Sequence, residues 1–193
     1  MRRAILATCL LPLALLCAAA APAFRTGVLE PPSPAADFTL QSDTGKPVHL
    51  HDWRGQVVLL YFGYTGCPDV CPTTLSELAE VKKQLGPAGQ RLQVAFVTVD
   101  PERDTAQRLH VYVQAFDRSF VGLTGTKATL AAVWKAYGVY VQSHRVPGSK
   151  TGYLVDHSAT TFVIDPEGRL RLAISFQTPV DDIRHDLQLL LPR

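Results

Sequence analysis

Two cysteines with three residues between them, in Tyr64-Thr65-Gly66-Cys67-Pro68-Asp69-Val70-Cys71-Pro72, are the side chains of this sequence best suited to chemistry. They stand where the apolar run Val57-Val58-Leu59-Leu60-Tyr61-Phe62 gives way to a helical pattern. Thiols at a helix start lie near the positive end of the helix dipole. That favours the thiolate, the form that attacks disulfides and binds soft metals. The pair therefore reads as metal ligands, a redox couple or a structural bridge. A bridge over three intervening residues restricts the unfolded chain little, so stabilisation alone accounts for it poorly. The rest of the chain supplies a third ligand, a redox partner or neither.

The elements that must position the pair are legible in outline. Residues 24–36, with Pro31, Pro32 and Pro34, read as an extended linker ahead of the domain. Phe38-Thr39-Leu40 and Val48-His49-Leu50 flank Ser42-Asp43-Thr44-Gly45, a hairpin signal. The run Val57 to Phe62 has the unbroken apolar character of a central strand buried on both faces. After the cysteines, Pro72 suits a first helical turn, Leu75, Leu78, Val81 and Leu85 form an apolar stripe, and Gly86-Pro87 ends the helix. Leu92 to Val99 is a second buried strand. A helix with Asp104 as cap and Gln107 three residues on follows, and a third runs from Lys127 to Tyr137 behind Thr126. Val139 to Gln142 and Gly152 to Val155 read as short strands around a polar loop, Ser143 to Thr151. Thr160 to Ile164 and Leu170 to Ser175 form a hairpin around Asp165-Pro166-Glu167-Gly168, and Thr178-Pro179 caps a last helix. A parallel βαβ half joined to an antiparallel ββα half is an α/β fold of the thioredoxin type, with a central mixed sheet, flanking helices and an N-terminal hairpin.

Composition restricts the setting. Met1-Arg2-Arg3 precedes an uncharged stretch from Ala4 through Phe24, which reads as an export signal cut after Ala23 or as a single membrane anchor. Cys9 and Cys17 belong to this leader, and Leu16 before Cys17 argues against a lipoprotein. The leader holds two of the 19 basic residues and none of the 17 acidic ones, so residues 24–193 carry 17 of each. That balance argues against nucleic acid as partner. The length from residue 37 to 193 suits one domain. A basic start without an Arg/Ser-rich transit segment favours the bacterial envelope over the mitochondrion.

Three motifs in order carry a resemblance. Tyr64 to Pro72, then Val97-Thr98-Val99-Asp100-Pro101-Glu102-Arg103-Asp104-Thr105, then Val155-Asp156-His157-Ser158 before a strand ending Asp165-Pro166-Glu167-Gly168, resemble the Sco/SenC family. The resemblance implies a membrane-associated, thioredoxin-fold copper chaperone that assists assembly of the binuclear copper centre of cytochrome c oxidase. It implies Cys67, Cys71 and His157 as copper ligands, with oxidase subunit II as acceptor. It also implies a periplasmic copper donor or thiol reductant, and residence in the bacterial periplasm or on the periplasmic face of the inner membrane. Two thiolates and an imidazole suit Cu(I), and with an added ligand Cu(II). Asp69 and Asp156 are candidates to orient these ligands, with turn and strand-end hydrogen bonding as their ordinary role. Asp100 and Asp104 belong to a loop that the resemblance places near the metal.

The remaining histidines have ordinary roles available. His49 and His51, two residues apart, are an exposed strand end or a weak second metal site, His110 and His185 sit on helices, and His144 lies in the polar loop. The competing activity is thiol–disulfide exchange, in which a Cys67–Cys71 disulfide forms as the protein reduces the cysteines of the acceptor site. A peroxidase fits less well, since Tyr64 stands where a threonine would precede the reactive cysteine. A structural zinc site wants four protein ligands, and three are in view.

Overall fold

The structure, a computed structural model, describes residues 23–146 and 152–192. The leader through residue 22, with Cys9 and Cys17, and residues 147–151 of the polar loop lie outside them. Most of the segment expected as an extended linker is a strand of the sheet. β1 (Val28–Pro34) pairs antiparallel with a strand near the C-terminus, Val28 opposite Leu172 and Pro34 opposite Arg169, with an irregularity between. Its prolines make extended backbone legible in the sequence but hide the pairing. Proline lacks the N–H a ladder needs and is tolerated only at an edge or a bulge, and β1 is an edge strand. Ahead of it, the backbone N–H groups of Arg25 and Thr26 donate to the buried carboxylate of Asp186 at 2.9 and 2.8 Å.

The expected hairpin follows as β2 (Thr39–Ser42) and β3 (Pro47–His49). β4 (Val57–Gly63) is the central strand, buried at every residue. Its period-two alternation divides the core, with Val57, Leu59 and Tyr61 on one face and Val58, Leu60 and Phe62 on the other. α1 (Val70–Gln84) lays Leu75, Leu78 and Val81 on the first face, and β5 (Leu92–Thr98) returns parallel to β4. α2 (Ala106–Gln114) leads to β6 (Val121–Thr124), a further parallel strand that the sequence signals poorly because it is four residues long and contains a glycine. That glycine, Gly122, lets α2 approach, since a Cβ on it would lie 2.8 Å from Cβ of Leu109. The cap of α2 is Thr105, whose hydroxyl accepts from the Arg108 N–H, one residue later than expected. Asp104 is buried for a different purpose, described below. α3 (Lys127–Ala136) begins behind Thr126 as expected and covers the second face with Leu130 and Val133.

β7 (Val141–Arg145) and β8 (Tyr153–His157) form a separate two-stranded sheet that reaches His157. β9 (Thr161–Ile164) and β10 (Arg169–Ile174) make the expected hairpin, turned by Gly168 at φ 76°. α4 (Val180–Leu190) closes the first face with Ile183 and Leu187. Its cap position is Pro179, and Thr178 bonds back to the Ser175 carbonyl instead of capping the helix. The large sheet runs β1-β10-β9-β4-β5-β6-β2-β3. Parallel β4-α1-β5 beside antiparallel β9-β10-α4 is the thioredoxin arrangement, with β1 and the β2–β3 hairpin added at the two edges. No helix among the described residues is long and apolar enough to cross a membrane.

Candidate metal centre

The loop between β4 and α1 presents Cys67, and the first turn of α1 presents Cys71. The turn is closed by the Cys67 N–H donating to the Tyr64 carbonyl at 3.2 Å. The Cys71 N–H then donates to Cys67 Sγ at 3.5 Å, so the sulfur occupies a place that would otherwise leave a helix-terminal donor unpaired. Cys71 is fully buried in the core of the first face, while Cys67 is half-buried and packs against both cores. Gly63, at the end of β4, makes room for the buried sulfur.

His157 arrives from the opposite side at the end of β8. Its Nε2 lies 3.4 Å from Cys71 Sγ, and the ligand atoms of Cys67, Cys71 and His157 all lie within 4.8 Å of one another. Nδ1 stands 3.0 Å from the Ser158 carbonyl, which can only accept, so Nδ1 carries the proton and the Nε2 lone pair faces the sulfurs. The rings of Tyr61 and Tyr64 meet the imidazole edge-on at 6.3 and 6.0 Å and confine it. The Tyr61 hydroxyl points at Cys71 Sγ from 3.7 Å.

The two sulfurs are electrostatically unequal. A hydrogen bond from the Cys71 thiol is the main cause holding Cys67 at about 4; burial opposes it, and the backbone N–H groups of Asp69 and Cys71 reinforce it. The same thiolate partner, followed by burial, pushes Cys71 up. At neutral pH the pair therefore holds one thiolate and one thiol, and a metal entering the site displaces the remaining proton.

A cleft of about 280 Å³ opens on Cys67 and His157, walled by Tyr64, Pro68, Val70, Leu154 and Ala159. A larger groove of about 590 Å³ lies along Asp100, Trp134, Val141 and Tyr153, but the clustered sulfur and nitrogen ligands are at the smaller one. Among the described residues, Cys67, Cys71 and His157 form the only such group of three. The other histidines stand apart from it. His49 and His51 stack on each other at 4.9 Å, His110 pairs with Asp43, and His185 with Asp186. Asp69 is exposed at the start of α1 and makes no side-chain cap, so its part in the site is its backbone N–H. Asp156 points away from His157, as a strand neighbour must, and pairs with His144 on β7 at 3.1 Å.

Asp104, expected as a helix cap in a loop that the resemblance places near the metal, caps nothing and instead braces the cysteine loop. Its buried carboxylate accepts from the Thr65 N–H at 3.1 Å, the Thr65 hydroxyl at 2.6 Å and the Thr98 hydroxyl at 2.7 Å. It thus ties the cysteine loop to the end of β5. Burial raises its pKa, with those hydrogen bonds acting in the opposite direction. An Asp beside a helix start looks like a cap in one dimension, and only the approach of β4 to β5 shows what it holds.

Known proteins place this arrangement. A family model described as SCO1/SenC matches residues 28–191. The bovine mitochondrial protein SCO2 homolog is 42% identical over 134 residues, which are 68% of this chain and 50% of that protein. The chain thus spans about half the length of the curated relatives it matches. The solution structure of apo Sco1 from Thermus thermophilus shares 44% identity, with a TM-score of 0.78 over 90% of this chain and 100% of that one. ScoI from Arabidopsis thaliana, solved with copper bound, shares 32% identity, with a TM-score of 0.75 over 81% of this chain and 99% of that one.

Proposed function

The chain belongs to the SCO1/SenC family, and from that premise we propose that it is a copper metallochaperone whose cargo is held by Cys67, Cys71 and His157. The observation that carries this reading is the convergence of two sulfurs and an Nε2 lone pair within 4.8 Å. The donor chemistry fits copper: two soft thiolates match Cu(I), and the imidazole adds the borderline nitrogen that Cu(II) also accepts. Three ligands leave a face of the metal open toward the cleft beside Pro68 and Val70. An acceptor thiolate or imidazole entering there can bond to the metal before the Cys67–metal bond breaks, so the ion is passed without becoming free. No electron moves in that exchange.

The acceptor this reading names is the copper-binding subunit II of cytochrome c oxidase, with the protein at the periplasmic face of a bacterial inner membrane. Its support is the family and the apolar rim of the cleft, which suits a protein surface better than a solvated ion. Mixing the copper-loaded protein with apo subunit II fragment tests it. Copper should appear on the fragment from the unsubstituted protein, and a fragment left without metal would count against delivery.

A second reading is supported by the low pKa and partial exposure of Cys67. Cys67 thiolate would attack a disulfide of the acceptor site and form a mixed disulfide. Cys71 would lose its proton to the acceptor thiolate released in that attack, and then attack Cys67 Sγ. The acceptor leaves with two reduced thiols, and Cys67–Cys71 is oxidised. Under this reading a His157→Ala protein that cannot hold copper still restores oxidase assembly in a deletion strain. Under the chaperone reading it does not.

A further inference from the structure

The sheet that carries His157 shares no strand pairing with the eight-stranded sheet. Beyond the short chain connection to β9, contacts of β8 with the body of the domain therefore set where the imidazole stands. On β8, Tyr153, Val155 and His157 alternate onto one face, which meets the body of the domain at three levels. At the far end His157 meets Cys71, and in the middle the Val155 N–H donates to the Tyr64 hydroxyl at 3.4 Å. At the near end the contact is charge-assisted. The Tyr153 hydroxyl donates to Asp100 Oδ1 at 2.7 Å, and Arg103 donates from Nε to Asp100 Oδ2 and from an Nη to the Tyr153 carbonyl at 2.9 Å. The Arg103 guanidinium carbon lies over the Tyr153 ring, 3.7 Å from its centroid, and 5.5 Å from the centroid of the Tyr64 ring on the cysteine loop. Asp100 is itself buried and fixed by its N–H bond to the Thr98 hydroxyl, which also serves Asp104.

We infer that Asp100, Arg103 and Tyr153 are positioning residues for the third ligand: they clamp the β7–β8 hairpin so that the His157 imidazole is delivered to the two sulfurs. The inference rests on the ligand assignment proposed above. Its consequence is selective. Two thiolates can hold Cu(I) on their own, whereas Cu(II) needs the nitrogen. Loosening the clamp therefore weakens Cu(II) binding and spares Cu(I). The ring pair Tyr153–Arg103 sits at one end of β8 and His157 four residues away at the other, so the effect travels along one strand and needs no change in the thioredoxin core.

The test uses Tyr153→Phe, which deletes the hydroxyl and keeps the ring, and Arg103→Lys, which keeps the charge and loses the planar fork. Tyr137→Phe is the control, because it deletes a hydroxyl bonded at 2.8 Å to the Ala36 carbonyl, away from the hairpin. Cu(II) affinity should fall about tenfold in each clamp variant, the lower end of what a residue supporting a ligand commands. Cu(I) affinity should stay within about twofold, with two thiolates still in place. In the reduced, metal-free protein the His157 Nδ1–H resonance should broaden in the clamp variants and stay sharp in Tyr137→Phe. Unchanged Cu(II) affinity and an unchanged resonance in both clamp variants would overturn the inference, as would an equal loss in Tyr137→Phe. If His157→Ala itself leaves Cu(II) binding intact, the ligand assignment fails. The resonance still decides the clamp.

Discussion

A Cβ on Gly63 would lie 2.8 Å from the Cys71 sulfur and 2.7 Å from Cε2 of Phe96, both fully buried. The glycine at the end of the central strand is thus the space in which the buried ligand sits. Gly63→Ala should cost about 1–3 kcal/mol by overpacking and move the sulfur away from His157. Denaturant unfolding together with copper titration checks both effects. A variant of unchanged stability and affinity would show that the close approach is not limiting.

The unequal thiols give a pH signature. With Cys67 held at about 4 and Cys71 pushed up, Cys67 is thiolate throughout the range from pH 6 to 8. An ordinary thiol, with a pKa of about 8.5, gains reactivity by nearly tenfold per unit over that range. Alkylation of the reduced, metal-free protein should therefore be fast, confined to Cys67 and nearly flat with pH. Cys71→Ala removes the thiol that most favours the Cys67 anion, and the pH profile should move upward. A steep profile in the unsubstituted protein would contradict the assignment.

Oxidation bears on the same two atoms. A Cys67–Cys71 disulfide removes both thiolate ligands, so the oxidised protein should bind no Cu(I), and reduction with dithiothreitol should restore one equivalent. Titration before and after reduction checks this, and equal Cu(I) uptake by the oxidised form would rule the two sulfurs out as ligands.

Asp186 makes the stretch ahead of β1 part of the domain. Burial alone would raise its pKa, but hydrogen bonds from His185 and from the N–H groups of Arg25 and Thr26 bring it below the ordinary 3.8. A depressed carboxylate contributes stability that is fully present above the unfolded value and is lost as pH falls through the folded one. Asp186→Asn should thus lose about 1–3 kcal/mol at pH 7 and much less near pH 3. Urea unfolding at both values checks it, and an equal deficit at both would mean the charge is irrelevant.

The features legible in the sequence are those encoded locally. The unbroken apolar run of β4, the Thr126 cap of α3, the glycine-bearing hairpins and the cysteine spacing each carry their own signal, and the resemblance carried by three ordered motifs links His157 to the cysteines. What is hidden depends on partners distant in sequence. β1 looks like a linker because its prolines mask a pairing made with Leu172 and Arg169. Asp104 looks like a cap, yet its carboxylate answers to Thr65, 39 residues away. Gly63 and Tyr153 have no local pattern at all, since one is defined by a sulfur on the next helix and the other by Asp100, 53 residues earlier.

The central claim is that two sulfurs and one imidazole form a single copper site. Titration of the reduced protein with Cu(I) and with Cu(II), beside Cys67→Ala, Cys71→Ala and His157→Ala, tests it most directly. One equivalent should bind to the unsubstituted protein, each cysteine variant should lose Cu(I), and His157→Ala should lose Cu(II) and its thiolate charge-transfer band. If His157→Ala takes up both ions with unchanged affinity and spectrum, the imidazole 3.4 Å from Cys71 is not a ligand and the three-residue site is wrong.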